Sequence, residues 1–199
     1  MNKITEGAPE MMEPQENTID TMDKQIEANL DMNAIETIEK IKIGRDYLAE
    51  AVLVLLGIKP TTEINVYNWN EDPKEIKQKL EETGLIVEEK EIPKRKKEKV
   101  SAIFAISKDS ENIEKLLNAE ADSDHEEYGR LMGYPESAIQ AHLDKNELLP
   151  EEEYPDMSGI IFEFKMSKNN HEDEMETLKG WSEAIKKYAP SIYEKFDIS

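Results

Sequence analysis

The sequence predicts an α+β fold: a four-stranded, largely antiparallel sheet in split βαβ, ferredoxin-like order, with long N-terminal and C-terminal helices and a helical insertion. Three observations carry that expectation. Apolar residues recur at helical spacing from Ile35 to Leu55, and again from Met175 to Tyr188. Four short stretches, 64–69, 85–92, 99–107 and 158–166, have the alternating or continuous apolar character of strands. Between the first two strands, Asp72-Pro73-Lys74-Glu75 supplies a cap, a proline at the first helical position and an acid in the first turn.

Taken in order, residues 1–32 carry Pro9, Pro14, scattered methionines and many acids without a sustained apolar period. Such a stretch buries too little apolar surface to offset its chain entropy, so a disordered acidic arm is expected there, followed by a single α+β domain over 33–199. Asn33 and Glu36 form a capping pair for one long helix through Ile35, Ile38, Ile41, Leu48, Val52 and Leu55, ended by Gly57 and Pro60. A helix over 73–83 ends at Gly84. The stretch KVSAIFAIS, apolar on both faces, belongs at the centre of the sheet. Asp109 or Ser110 caps the next helix. Residues 120–157 then form a helical insertion broken at Gly133-Tyr134-Pro135, before a fourth strand over 158–166 and a last helix from His171.

Composition excludes several classes of function. The 199 residues hold 45 Asp and Glu against 25 Lys and Arg, a net charge of −20, with no cysteine. Disulfides, thiolate metal sites and cysteine nucleophiles are therefore impossible. The longest apolar run, Ala51 to Leu56, is far short of a bilayer span, so no membrane partner is expected. The first residues lack the apolar core of a secretory signal, and the expected location is cytoplasmic. The stretch 34–119 is nearly neutral, whereas both flanks are strongly acidic and repel polyanions, so nucleic acid is not expected as the main partner.

Chemistry-bearing motifs are incomplete. The eight glycines form neither of the phosphate-binding glycine patterns, and no serine sits in G-x-S-x-G. His125-Glu126 and His171-Glu172 begin like a zinc-protease helix, but the second histidine is replaced by Gly129 and Met175. Asp122, Asp124 and Glu126 imitate a calcium loop whose obligatory glycine is Glu127. No metal site and no cofactor are expected. Lys94, Arg95, Lys96 and Lys97, with Lys99, crowd a hairpin turn; they read as a solvated turn or as a weak anion-docking knob. A nucleic-acid site would add interleaved aromatics, and none lie in this run.

The most distinctive segment is Tyr128 to His142. Gly133 and Pro135 place Tyr134 at a tight corner between two short helices, with Arg130 and Glu136 facing each other across it. Its plainest reading is a packed corner. As chemistry, Arg130 offers a fork for an anion, Tyr134 and His142 proton carriers, and Glu136 with Ser137 a helix start. The phrase Gly129-Arg130-Leu131-Met132-Gly133-Tyr134-Pro135-Glu136 resembles an uncharacterised prokaryotic, largely archaeal, family bearing GRLLGYP-x-CC. That family's paired cysteines are replaced here by Ser137 and Ala138, which removes any thiol chemistry they imply. The expected function is a binding or adaptor domain recognising a protein or small anionic ligand at the Arg130 to His142 corner. The alternative is a small hydrolase or transferase at that corner, with His142 or Glu136 as acid/base and Ser137 as nucleophile; it requires these groups to converge in one pocket.

Overall fold

The structure is a computed structural model and describes residues 31–196. The expected arm over 1–32 lies outside those residues, apart from its last two. Eight α-helices and three strands are formed among the described residues: α1 Met32–Glu39, α2 Arg45–Leu55, β1 Thr61–Tyr67, α3 Pro73–Glu82, β2 Ile86–Lys90, β3 Val100–Ser107, α4 Ser110–Asp122, α5 His125–Leu131, α6 Glu136–Leu143, α7 His171–Tyr188 and α8 Pro190–Tyr193.

The sheet has three strands, not four, in the order β1-β3-β2. Both β1 and β2 are antiparallel to β3, with Ile64 opposite Phe104 and Val87 opposite Ile106. They therefore run parallel to each other, joined through α3 with β3 between them. The central place of β3 follows from its composition: seven of its eight residues are buried, so polar side chains have no outlet on either face.

The expected fourth strand does not form. Residues 158–166 run without regular secondary structure against α7, with only an isolated bridge between Leu148 and Ser167 beyond their end. Three of their backbone donors, those of Ser158, Ile161 and Met166, are taken by side chains. Ile161 donates its N–H to Ser182 Oγ at 3.1 Å, and Met166 to the Tyr154 hydroxyl at 3.2 Å. Phe162 and Phe164 pack edge-on against Trp181 at 5.8 and 6.0 Å between ring centroids. The alternation SGIIFEFKM reflects which residues face α7, and that need was met without a neighbouring strand. A ferredoxin-like sandwich is thereby excluded.

The expected long helix over 33–55 is also divided. Asp31, not Asn33, caps α1, accepting the Asn33 N–H at 2.9 Å. Beyond Ile41 the next two positions on the apolar stripe are Gly44 and Arg45, so continued helix there would bury nothing. The chain turns at Lys40–Gly44 and restarts with Gly44 as extended N-cap of α2. Elsewhere the local signals correspond closely: Asp72 accepts the Lys74 N–H at 2.8 Å, and Asp109 the Glu111 N–H at 2.9 Å.

Residues α4 to α6 form the layer that carries the corner. Ala105 of β3 packs with Ile113, Leu116 and Ala119 of α4 and with Leu131 and Met132 at the end of α5. Thr61, at the start of β1, donates its hydroxyl to the Leu131 carbonyl at 2.7 Å, tying the end of α5 to the sheet.

Candidate functional site

The corner is built from α5, α6 and the three residues between them. Asp124 caps α5 by accepting the Glu127 N–H at 3.0 Å. At the other end, Tyr134 donates its N–H to the Gly129 carbonyl at 3.1 Å and Gly133 to the Arg130 carbonyl at 2.9 Å. These are the two bonds of a Schellman ending, and Gly133 holds the left-handed position at φ +77°. A Cβ there would come within 3.2 Å of Lys59 Cγ. Pro135 then caps α6. Gly129 has a different reason: a Cβ on it would meet Ile139 Cγ1 at 2.8 Å, so the missing side chain is what lets α5 and α6 approach.

Arg130 faces Glu136 as the spacing suggests. Its Nε and Nη2 donate to Glu136 at 2.9 and 3.1 Å, Nη2 also donates to Glu126, and Nη1 lies 3.7 Å from Glu127. The Arg130 hydrogen bonds, with a second from Gln140, hold the Glu136 carboxyl below the usual carboxylate range. Although the Arg130 side chain is 46 % exposed, three carboxylates surround its one positive charge. An incoming anion meets a net negative group there.

Ser137 points elsewhere. Its hydroxyl donates to Glu174 Oε1 at 2.5 Å, and the same carboxylate accepts the Ser167 N–H and hydroxyl, both at 2.7 Å. Glu174 is fully buried at 0 % exposure. It staples α6, α7 and the extended segment together.

On the other side of α6 a half-open cleft of ≈ 360 Å³ lies between α5, α6 and residues 164–165. Tyr134, Ala138, Ile139 and Phe164 line it, with His125, His142 and Lys165 also at its walls. Of the five predicted site residues, Tyr134 and His142 are brought together here, while Arg130, Glu136 and Ser137 are not. The imidazoles of His125 and His142 have no hydrogen bond or ion pair within the described residues. Burial first, and then the Glu50 and Glu63 charges, push the Tyr134 phenol up to about 12, so it stays protonated at neutral pH.

Beneath Tyr134 lies a feature the sequence did not disclose. Lys59 is 2 % exposed, its Nζ 2.5 Å from Glu50 Oε2, 5.4 Å from the Tyr134 ring centroid and 4.7 Å from that of Trp181. A lysine before a proline in a turn reads as solvated; only the convergence of α2, α7 and the corner encloses it. A second enclosed cation, Lys90, pairs with Glu63 and Glu120. Burial first, and then the Glu63 charge, push the Tyr128 phenol up.

Lys94, Arg95, Lys96 and Lys97 occupy a 3-10 turn and its end, where Lys96 Nζ reaches Asn65 Oδ1 at 3.3 Å. Among the described residues, no group of three or more His, Asp or Glu could hold a metal ion, and no helix is long and apolar enough to cross a membrane. Comparison with protein-family models, curated proteins and solved structures returned no match.

Proposed function

We propose that this chain is a non-catalytic binding domain that recognises a protein partner by seating one apolar or aromatic side chain in the cleft beside the Gly133–Pro135 corner. The observation that carries the reading is the cleft itself. Its walls from Tyr134, Ile139 and Phe164 are apolar, its volume of ≈ 360 Å³ is that of a small ligand site, and unpaired imidazoles stand at its walls. The polar groups orient a guest, and the apolar walls supply the affinity. The hydrolase or transferase alternative finds less support. Arg130 and Glu136 satisfy each other away from the cleft, and the Ser137 hydroxyl is given to a buried carboxylate rather than aligned on an imidazole.

The experiment is a thermal-shift panel of short peptides and metabolites on the wild type and on His142→Trp, an exposed position whose enlarged side chain obstructs the cleft. A ligand at a hundred times its Kd stabilises the wild type by about 2.7 kcal/mol through linkage and leaves the variant unmoved. Equal stabilisation of both proteins would place binding elsewhere and overturn the reading.

A further inference from the structure

At the end of the sheet remote from the corner, the fold brings aromatic rings to the basic turn that the sequence places apart from them. Trp69 is 71 % exposed. Its indole stacks on Tyr67 with ring centroids 4.7 Å apart and planes within 8°, so its outer face is a flat, open π surface. The basic turn is joined to this platform through Asn68, which donates its backbone N–H to the Lys99 carbonyl and its side-chain amide to the Glu98 carbonyl, both at 2.9 Å. Lys96 reaches Asn65 on the same strand. None of the five basic side chains between 94 and 99 is in an ion pair among the described residues, in a chain with 45 acids.

We propose that this sheet end binds a short single strand of nucleic acid, one base stacking on Trp69 while flanking phosphates pair with the Lys94–Lys99 cations. The inference is independent of the corner cleft. An exposed ring stacked on a second ring is a platform for a third planar ring, and every base offers one; adjacent unpaired cations supply the phosphate contacts. An acidic peptide would use the cations but has no comparable planar group at every residue. The −20 net charge confines the interaction to a few nucleotides, because a duplex or a long strand extends into the acidic field beyond the turn.

The test is fluorescence anisotropy of labelled five-nucleotide oligothymidylate and of a five-residue glutamate peptide, titrated with the full chain. With about three phosphates neutralised, affinity for the oligonucleotide falls roughly twenty-fold between 50 and 200 mM salt. Trp69→Ala weakens binding at least about five-fold at fixed salt, and binding quenches the Trp69 fluorescence. Lys94→Glu with Lys97→Glu abolishes it. All three substitutions are of exposed residues, and a circular dichroism melt verifies that the variants are folded. Absence of oligonucleotide binding at 50 mM salt would overturn the proposal. So would undiminished binding by Trp69→Ala, which would reduce the site to a polyanion contact, or equal binding of the glutamate peptide, which would make the occupant an acidic protein segment.

Discussion

Gly129 and Gly180 allow one substitution to be read in two environments. Both are helical, so Gly→Ala gains about 1 kcal/mol of helix propensity in either place. At Gly180 in α7 nothing lies within 4 Å of the new Cβ, and the gain stands alone. At Gly129 the new Cβ meets Ile139 at three atoms, Cγ1 at 2.8 Å, Cδ1 at 3.1 Å and Cγ2 at 3.4 Å. Ile139 is buried and β-branched, so its Cγ1 has no free rotamer to retreat into. Forcing an extra carbon into a packed contact costs about 1–3 kcal/mol. The propensity gain is then cancelled or exceeded: Gly180→Ala stabilises by up to about 1 kcal/mol, and Gly129→Ala is neutral to about 2 kcal/mol destabilising. In a domain of this size each kcal/mol moves Tm by about 2–4 °C, well within the reach of calorimetry or urea denaturation. In an Ile139→Ala background the conflict is relieved and Gly129→Ala recovers its helical gain, which a double-mutant cycle reports as coupling. If Gly129→Ala in the native background stabilises as much as Gly180→Ala, close packing of α5 on α6 is not what Gly129 is for.

Three further outcomes are expected. Lys59→Met removes the partner of Glu50, whose side chain keeps 22 % exposure; the loss therefore falls near or below the low end for a broken buried pair, about 2–3 kcal/mol by urea denaturation. Adding Glu50→Gln restores at least half of it, and a neutral single substitution would refute the caged-cation reading. Glu174→Ala leaves two hydroxyls and the Ser167 N–H without their acceptor, costing at least about 2 kcal/mol and accelerating hydrogen exchange at Ser167; unchanged exchange there would show that the staple is dispensable. For alkaline pH, burial first and then a hydrogen bond with Tyr67 push the Tyr47 phenol up to about 12, as burial does Tyr134. Their folded values lie above the unfolded value of about 10, so this stability is fully present below about pH 10 and is lost as pH rises through about 12. Phenolate absorbance then shows a delayed tyrosine class that vanishes in denaturant; titration of every tyrosine near pH 10 in the folded protein would contradict it.

Local signals were legible where a few neighbouring residues settle the conformation. Asp72 with Pro73 starts α3, Asp109 caps α4, and the doubly apolar run to Ser107 marks the central strand. Gly133 likewise announces the end of α5, because its left-handed backbone favours glycine whatever surrounds it. At the candidate site, sequence spacing alone brought Arg130 to Glu136. It did not reveal that Glu126 and Glu127 complete the guanidinium's partners, or that Ser137 turns to Glu174, which follows it by 37 residues.

Composition and short-range pattern by themselves determined that this chain has no cysteine chemistry, a strongly acidic net charge, helices at the capped periodic stretches and an apolar central strand. Tertiary structure alone decided that 158–166 lies on α7 instead of joining the sheet, that Lys59 is enclosed between two rings, and that Trp69 stands beside the basic turn. The physical reason is one of range. Caps and periodicity act within a few residues, where chain connectivity supplies the partner; strand pairing, burial of a cation and assembly of a binding surface depend on groups remote in sequence, and the winner is whichever contact leaves no buried donor or charge unpaired.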